Sequence, residues 1–335
     1  MLLPSPRRDF IKTTALAAIG LTVSPFSYSR TPKPLANARV GIIGLDTSHC
    51  EAFTKILNDP NAPAEYQRFT VTAAYPYGSK TIESSAQRIP EYTEAIKKYN
   101  VAITNSIKEL LDQVDVVLLE TNDGRLHAEQ AFEVIKAGKR LFIDKPIAAS
   151  YKDAKAIFNF ARQHNVPVFS SSSLRFTPAV QDIAAGKTVG KVLGADVFTP
   201  CSIEKTHPDL FWYGIHGVET LYTILGRGCR QLVRTHTEDT DVVTGIWSDG
   251  RVGTFRGTRN GKHDYGGTAY GENGTTNFAA YGGYEPLLKE IVQFFKTGIT
   301  PVQPEDTLEI CAFMEAADES RRKGGVPVDI NKHLK

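Results

Sequence analysis

Arg39-Val-Gly-Ile-Ile-Gly-Leu-Asp-Thr-Ser-His-Cys50 reads as a buried strand, a glycine turn and the start of a helix. Val40 to Ile43 form a short apolar run with β-branched residues, as a central parallel strand requires. Gly44 supplies the turn, and beyond it Phe53, Ile56 and Leu57 share one helical face. Ser48 and Glu51 stand three apart, the spacing of a capping box. A strand that feeds a helix through glycine is the phosphate-binding unit of a dinucleotide fold. The template G-x-G-x-x-G, begun at Gly44, meets Asp46 and His49 where its second and third glycines belong. A carboxylate there repels a pyrophosphate unless it turns away or is compensated. Asp46 therefore reads either as the N-cap of the helix or as part of a site. Gly44, Leu45, Asp46, Thr47, Ser48 and His49 are the cofactor candidates on this turn.

Outward from the turn, strands and helices alternate. Strands are expected near residues 69–74, 100–104, 115–120, 140–144 and 166–169, with helices at 89–99, 107–111, 128–137 and 152–164 between them. That alternation predicts a doubly wound parallel sheet, with every strand-end loop on one ligand-binding edge. Ser79 and Lys80 follow the second strand, where NAD-binding folds usually carry an acid; they suit the 2′-phosphate of NADP, or form an exposed polar turn. Thr121, Asn122, Asp144 and Lys145 follow later strands and complete the cofactor candidates. Beyond residue 190 the pattern changes. Strands near 192–199, 241–247 and 251–257 lack intervening long helices, so a largely antiparallel sheet is expected, closed by helices at 285–296 and 307–322. Residues 258–283, rich in Gly, Thr, Asn and Tyr, read as a mobile loop near the site. The expected fold class is α/β. A Rossmann domain over 36–150 is followed by an α/β domain with an open, largely antiparallel sheet over 151–335.

The 335 residues, 41% hydrophobic and 23% charged, suit a globular protein of two domains. Residues 5–12, Ser-Pro-Arg-Arg-Asp-Phe-Ile-Lys, resemble a twin-arginine export signal, and the apolar run 13–23 is too short for a membrane span of roughly 20 residues. Residues 1–29 are read as the signal, so a periplasmic or extracytoplasmic location is expected. Arg7, Arg8 and Lys12 against Asp9 give that segment +2, which equals the net charge of the whole chain. The remainder is near neutral and carries no electrostatic footprint for nucleic acid. Cys50, Cys201, Cys229 and Cys311 form no C-x-x-C pair, and no H-x-H or H-E-x-x-H spacing occurs, so no metal site is assigned.

Several segments in order resemble one family, that of glucose–fructose oxidoreductase, inositol dehydrogenase and MocA. They are Val40-Gly-Ile-Ile-Gly44, Leu126-His-Ala-Glu-Gln-Ala131, Phe142-Ile-Asp-Lys-Pro146, Leu174-Arg-Phe-Thr-Pro-Ala179, Gly186-Lys-Thr-Val-Gly-Lys-Val192, Tyr213-Gly-Ile-His-Gly-Val-Glu219 and Pro304-Glu-Asp-Thr-Leu308. The resemblance implies hydride exchange between NAD or NADP and a hydroxyl of a sugar, inositol or related polyol. It places Lys145 beside the nicotinamide and makes His216 the acid/base for the hydroxyl proton. It also implies a homo-oligomer built through the open sheet. The chain departs from the family pattern at Asp46, His49, Trp212 and Glu219 and in a longer loop at 121–127. Arg175, His207, Trp212 and Tyr213 join His216 as substrate candidates, with Arg256 and His263 as remoter ones. An exported enzyme of this kind would hold its cofactor tightly. The alternative is a non-redox, lyase- or hydrolase-like or metal-assisted sugar-active protein that has lost dinucleotide binding.

Overall fold

The computed structural model describes residues 33–335; the signal read in residues 1–29 lies outside them. Six parallel strands form the first sheet: β1 (Ala38–Ile43), β2 (Phe69–Tyr75), β3 (Ala102–Ile103), β4 (Val116–Leu119), β5 (Arg140–Asp144) and β6 (Val168–Ser171), in the order β3-β2-β1-β4-β5-β6. The order reverses between β1 and β4, and ligands bind in the crevice at such a switch point. Ile43 pairs with Leu119 there, so Gly44 and Glu120 leave the sheet side by side, with Asp144 ending the next strand. Every residue of β4 and β5 is buried. That is why they read as unbroken apolar runs rather than alternating ones.

The second sheet holds β7 (Val192–Pro200), β8 (Cys229–His236), β9 (Thr240–Trp247), β10 (Val252–Thr258), β11 (Gly266–Gly271), β12 (Gly274–Ala279) and β13 (Val328–Asp329). Its order is β12-β11-β7-β10-β9-β8-β13, and only the β7–β10 pairing is parallel. The α/β architecture of a parallel Rossmann sheet plus a mostly antiparallel one is thus the observed fold. The expected mobile loop at 258–283 is not a loop throughout: residues 266–279 are the β11–β12 hairpin. Three of its glycines, Gly266, Gly267 and Gly271, are those of close packing: a Cβ on Gly267 would meet Asp196 O at 2.2 Å and the Phe278 ring at 2.7 Å.

Two later helices position the site. The helix Ile215–Leu225 lies so close to the second sheet that a Cβ on Gly217 would fall 2.2 Å from the Phe255 ring. The helix Glu285–Thr297 returns to the first sheet, where Phe294 packs edge-on against Phe169 at 4.9 Å. Arg140 donates to the carbonyls of Phe295 and Lys296 at its end. The four cysteines are buried free thiols.

Candidate active site

Gly44 has φ +87°, and a Cβ on it would meet Thr121 N at 2.5 Å, so the first glycine of the phosphate turn is required here. The helix Ser48–Leu57 begins two residues beyond Asp46. Its N-cap is Thr47, whose Oγ1 accepts from His49 N–H at 3.3 Å, rather than the expected Ser48 or Asp46. Asp46 is fully buried and turned away from the helix. Its carboxylate accepts the backbone N–H of Ser79 at 2.7 Å and of Asn122 at 2.9 Å, and so ties the loops after β2 and β4 together. Burial pushes the Asp46 pKa up, against the pull of those N–H donors.

A cleft of about 340 Å³ opens above this turn. Thr47, Ser48, His49 and Asn122 line it, with Ser84 and Arg88 also on its wall. Asp144, Lys145, Trp212, Tyr213 and His216 line it too, together with Tyr265, Tyr281 and Tyr284. Nine sequence candidates therefore meet in one cavity. The others do not line it. Gly44 and Thr121 form the turn beneath, Leu45 is core, Ser79 is buried against Asp46, and Lys80 is exposed. Arg175 donates to Glu219 Oε1 at 2.7 Å. His207 lies beside Trp212, with Nε2 3.4 Å from Asp123. Arg256 faces outward on the second sheet, and exposed His263 contacts Thr258.

Lys145 Nζ lies 5.8 Å above the Tyr213 ring, and Tyr213 OH meets Tyr265 OH at 3.0 Å. His216 Nδ1 is 2.7 Å from Ser172 Oγ, which leaves Nε2 for a ligand. Ser172 is held in turn by Glu219, which accepts its N–H at 2.8 Å, the Ser171 hydroxyl at 2.6 Å and Arg175. Burial, reinforced by the Lys145 cation, holds the His216 pKa well below its ordinary value, so the imidazole is neutral. A neutral imidazole and an ammonium group facing one cavity can take up a hydroxyl proton and stabilise the oxygen that loses it.

A second group was not visible in the sequence spacing. His49 Nδ1 lies 3.1 Å from Asp144 Oδ2 and 3.6 Å from Glu120 Oε2. The side chains come from the first turn of the helix Ser48–Leu57 and the ends of β4 and β5. Burial disfavours a charged His49, but the two carboxylates outweigh it and raise its pKa to about 10. Burial also pushes Glu120 up, while the facing His49 draws Asp144 down. Tyr284, at the start of the helix Glu285–Thr297, covers this corner: its ring stands edge-on to His49 at 4.4 Å and its hydroxyl lies 3.3 Å from Ser48 Oγ.

Residues 38–172, about two fifths of the chain, match the model of the GFO_IDH_MocA family, described as oxidoreductase family, NAD-binding Rossmann fold. The 1,5-anhydro-D-fructose reductase of Ensifer adhaerens is 33% identical over 98 residues, which cover 28% of this chain and 29% of that protein. Levoglucosan dehydrogenase of Pseudarthrobacter phenanthrenivorans is 28% identical over 78 residues, covering 23% and 20%. The matched segments span about a quarter to a third of the first curated relatives. The crystal structure of myo-inositol 2-dehydrogenase from Lactobacillus plantarum superposes with a TM-score of 0.71 at 16% identity, covering 88% of this chain and 99% of that one. At that identity the likeness establishes the fold of both sheets together.

A nicotinamide dinucleotide fits the cleft on two observations: Gly44 keeps the turn tight, and the Asp46 carboxylate is engaged elsewhere and does not line the cavity. Thr47 and Ser48 at the helix N-terminus and Arg88 line the same cleft as Asp144 and Lys145, and a helix N-terminus suits a phosphate.

Proposed function

We propose that the protein is an NAD- or NADP-linked oxidoreductase acting on a hydroxyl of a sugar, an inositol or a related polyol. One observation carries the proposal: Lys145, just after β5, and His216, on the helix packed against the second sheet, face the same cavity as the N-terminus of the phosphate-turn helix. When bound, the nicotinamide supplies the hydride acceptor. The chain supplies the proton chemistry. The substrate hydroxyl lies between Nζ of Lys145 and Nε2 of His216. The neutral imidazole accepts the hydroxyl proton, Ser172 keeps the ring in place, and the ammonium group stabilises the negative charge left on oxygen. Tyr213, Tyr265 and Trp212 offer faces to the C–H surfaces of a sugar ring. Export in folded form, the reading of residues 1–29, goes with a cofactor held tightly rather than exchanged. The proposal includes a homo-oligomer formed through the exposed face of the second sheet.

The test is cofactor reduction or oxidation by the purified chain over a panel of inositols and sugars. His216→Ala and Lys145→Ala are each expected to lower turnover by about 10²- to 10⁴-fold while nicotinamide binding persists. Unchanged turnover in either variant contradicts its assigned role.

A second reading is favoured by His49, Glu120 and Asp144. In it the same Lys145–His216 pair performs non-redox, metal-assisted proton transfer on a sugar. Nicotinamide content separates the two.

A further inference from the structure

Glu120 is fully buried at the end of β4, and neither of its carboxylate oxygens has a hydrogen-bond partner. Asp144, 1% exposed, is in the same condition, and so is Nδ1 of His49. Their one close cationic partner is His49, 3.1 Å from Asp144 and 3.6 Å from Glu120, and two buried carboxylates that share a single imidazole are a costly arrangement. A single proton on His49 Nδ1 offers one donor to four acceptor atoms. One ligand atom from each of the three residues lies within 4.8 Å of the others. Two ligands each about 2.1 Å from one ion are separated by roughly 3 to 3.5 Å. The His49–Asp144 and His49–Glu120 separations of 3.1 and 3.6 Å match that spacing.

We propose that His49, Glu120 and Asp144 bind one divalent transition-metal ion, whose open coordination positions face the Lys145–His216 cavity. One imidazole and two carboxylates are the mixed nitrogen and oxygen donor set that suits Zn²⁺ or Mn²⁺. An all-oxygen set would suit Ca²⁺ or Mg²⁺, and thiolates softer metals. Two strand ends and the first turn of the helix Ser48–Leu57 fix the ligands on rigid elements. His49 and Asp144 line the cleft whereas Glu120 lies behind them, so an ion among them is reached from the substrate side. Its ligand class is a molecule with two neighbouring oxygens, such as a vicinal diol or an α-hydroxy carbonyl, which would chelate the ion beside the two proton-handling residues. The site explains both departures from the family pattern on this turn. His49 replaces a glycine because it is a ligand. Asp46 is left free to tie the neighbouring loops together.

The inference goes beyond the oxidoreductase reading and does not rest on it. The experiment uses the full purified chain, stripped with a chelator and then equilibrated separately with Zn²⁺, Mn²⁺ and Co²⁺. Bound metal is counted by mass spectrometry, and the melting temperature is followed with and without each ion. The expected result is close to one ion per chain and a rise in melting temperature, because an ion that binds only the folded state stabilises it. Glu120→Gln and Asp144→Asn, which keep the shape of the side chains, are each expected to weaken binding at least about 10-fold and to lose the melting shift. Glu309→Gln, which alters a buried acid on the helix Pro304–Arg322, away from the cleft, is expected to keep both. Two results overturn the proposal: a wild-type chain that retains none of the three ions and shows no melting shift, or equal retention by Glu120→Gln and Asp144→Asn. Nicotinamide released from the same samples is measured alongside. Metal without nicotinamide upholds this site and defeats the oxidoreductase reading; nicotinamide without metal does the reverse.

Discussion

Asp46 stands where a dinucleotide fold keeps its second glycine, and its effect depends on where the carboxylate points. The structure directs it at the backbone N–H groups of Ser79 and Asn122, away from the cleft. Asp46→Ala removes the acceptor and leaves a buried N–H at Ser79 unpaired. Such a loss costs about 1–3 kcal/mol. Denaturant unfolding is expected to show it, with Asp46→Asn losing less because one oxygen acceptor remains. Wild-type stability in Asp46→Ala would contradict the bonding described. The sequence left this orientation open because the partners lie 33 and 76 residues away. The same limit hid the triad of His49, Glu120 and Asp144. Metal-ligand motifs are legible when the ligands share one helix or turn. Here they come from two strand ends and a helix N-terminus that only the parallel sheet brings together. Glu120 was legible as the last residue of an apolar strand, but not as half of a carboxylate pair. By contrast, Lys145 and His216 were legible, because each sits in a short motif of the resembled family.

At the scale of elements, β1, β4 and β5 were legible from their unbroken apolar runs, and the helices between them from periodicity. The β11–β12 hairpin was not. Its glycines read as loop punctuation, whereas in the folded protein Gly266 and Gly267 make room for aromatic rings and carbonyls packed against them. The consequence reaches the cleft, since Tyr265 and Tyr281 flank the hairpin and stack on each other at 5.6 Å. β11 is bonded to β7 on one side and β12 on the other. Its amides at 266–271 are therefore expected to resist hydrogen exchange far longer than those at 260–264. Exchange at equal rates in the two segments would restore the mobile-loop reading and remove the aromatic wall it supports.

At the scale of the molecule, the change from alternating strands and helices to short strands with turns announced two sheets. The switch point between β1 and β4 then placed the ligand edge. What the pattern could not show is the outer face of the second sheet. Phe198, Ile246, Val252 and Tyr270 are each 40–46% exposed on adjacent strands. An apolar surface of this kind marks an interaction site, and a two-fold contact through it would pair like faces. Light scattering is expected to report a dimer or larger oligomer. Lysines at both Ile246 and Val252, which pair directly across β9 and β10, are expected to leave folded monomers. A monomeric wild-type chain would contradict the oligomer.

The oxidoreductase reading meets its most direct test in the small molecules the purified protein carries. Denatured under mild conditions and assayed by mass spectrometry, the chain is expected to release close to one NAD(H) or NADP(H) per molecule. No released nicotinamide, together with no binding when either cofactor is added back, would contradict the account. The cleft of Lys145 and His216 would then belong to non-redox chemistry.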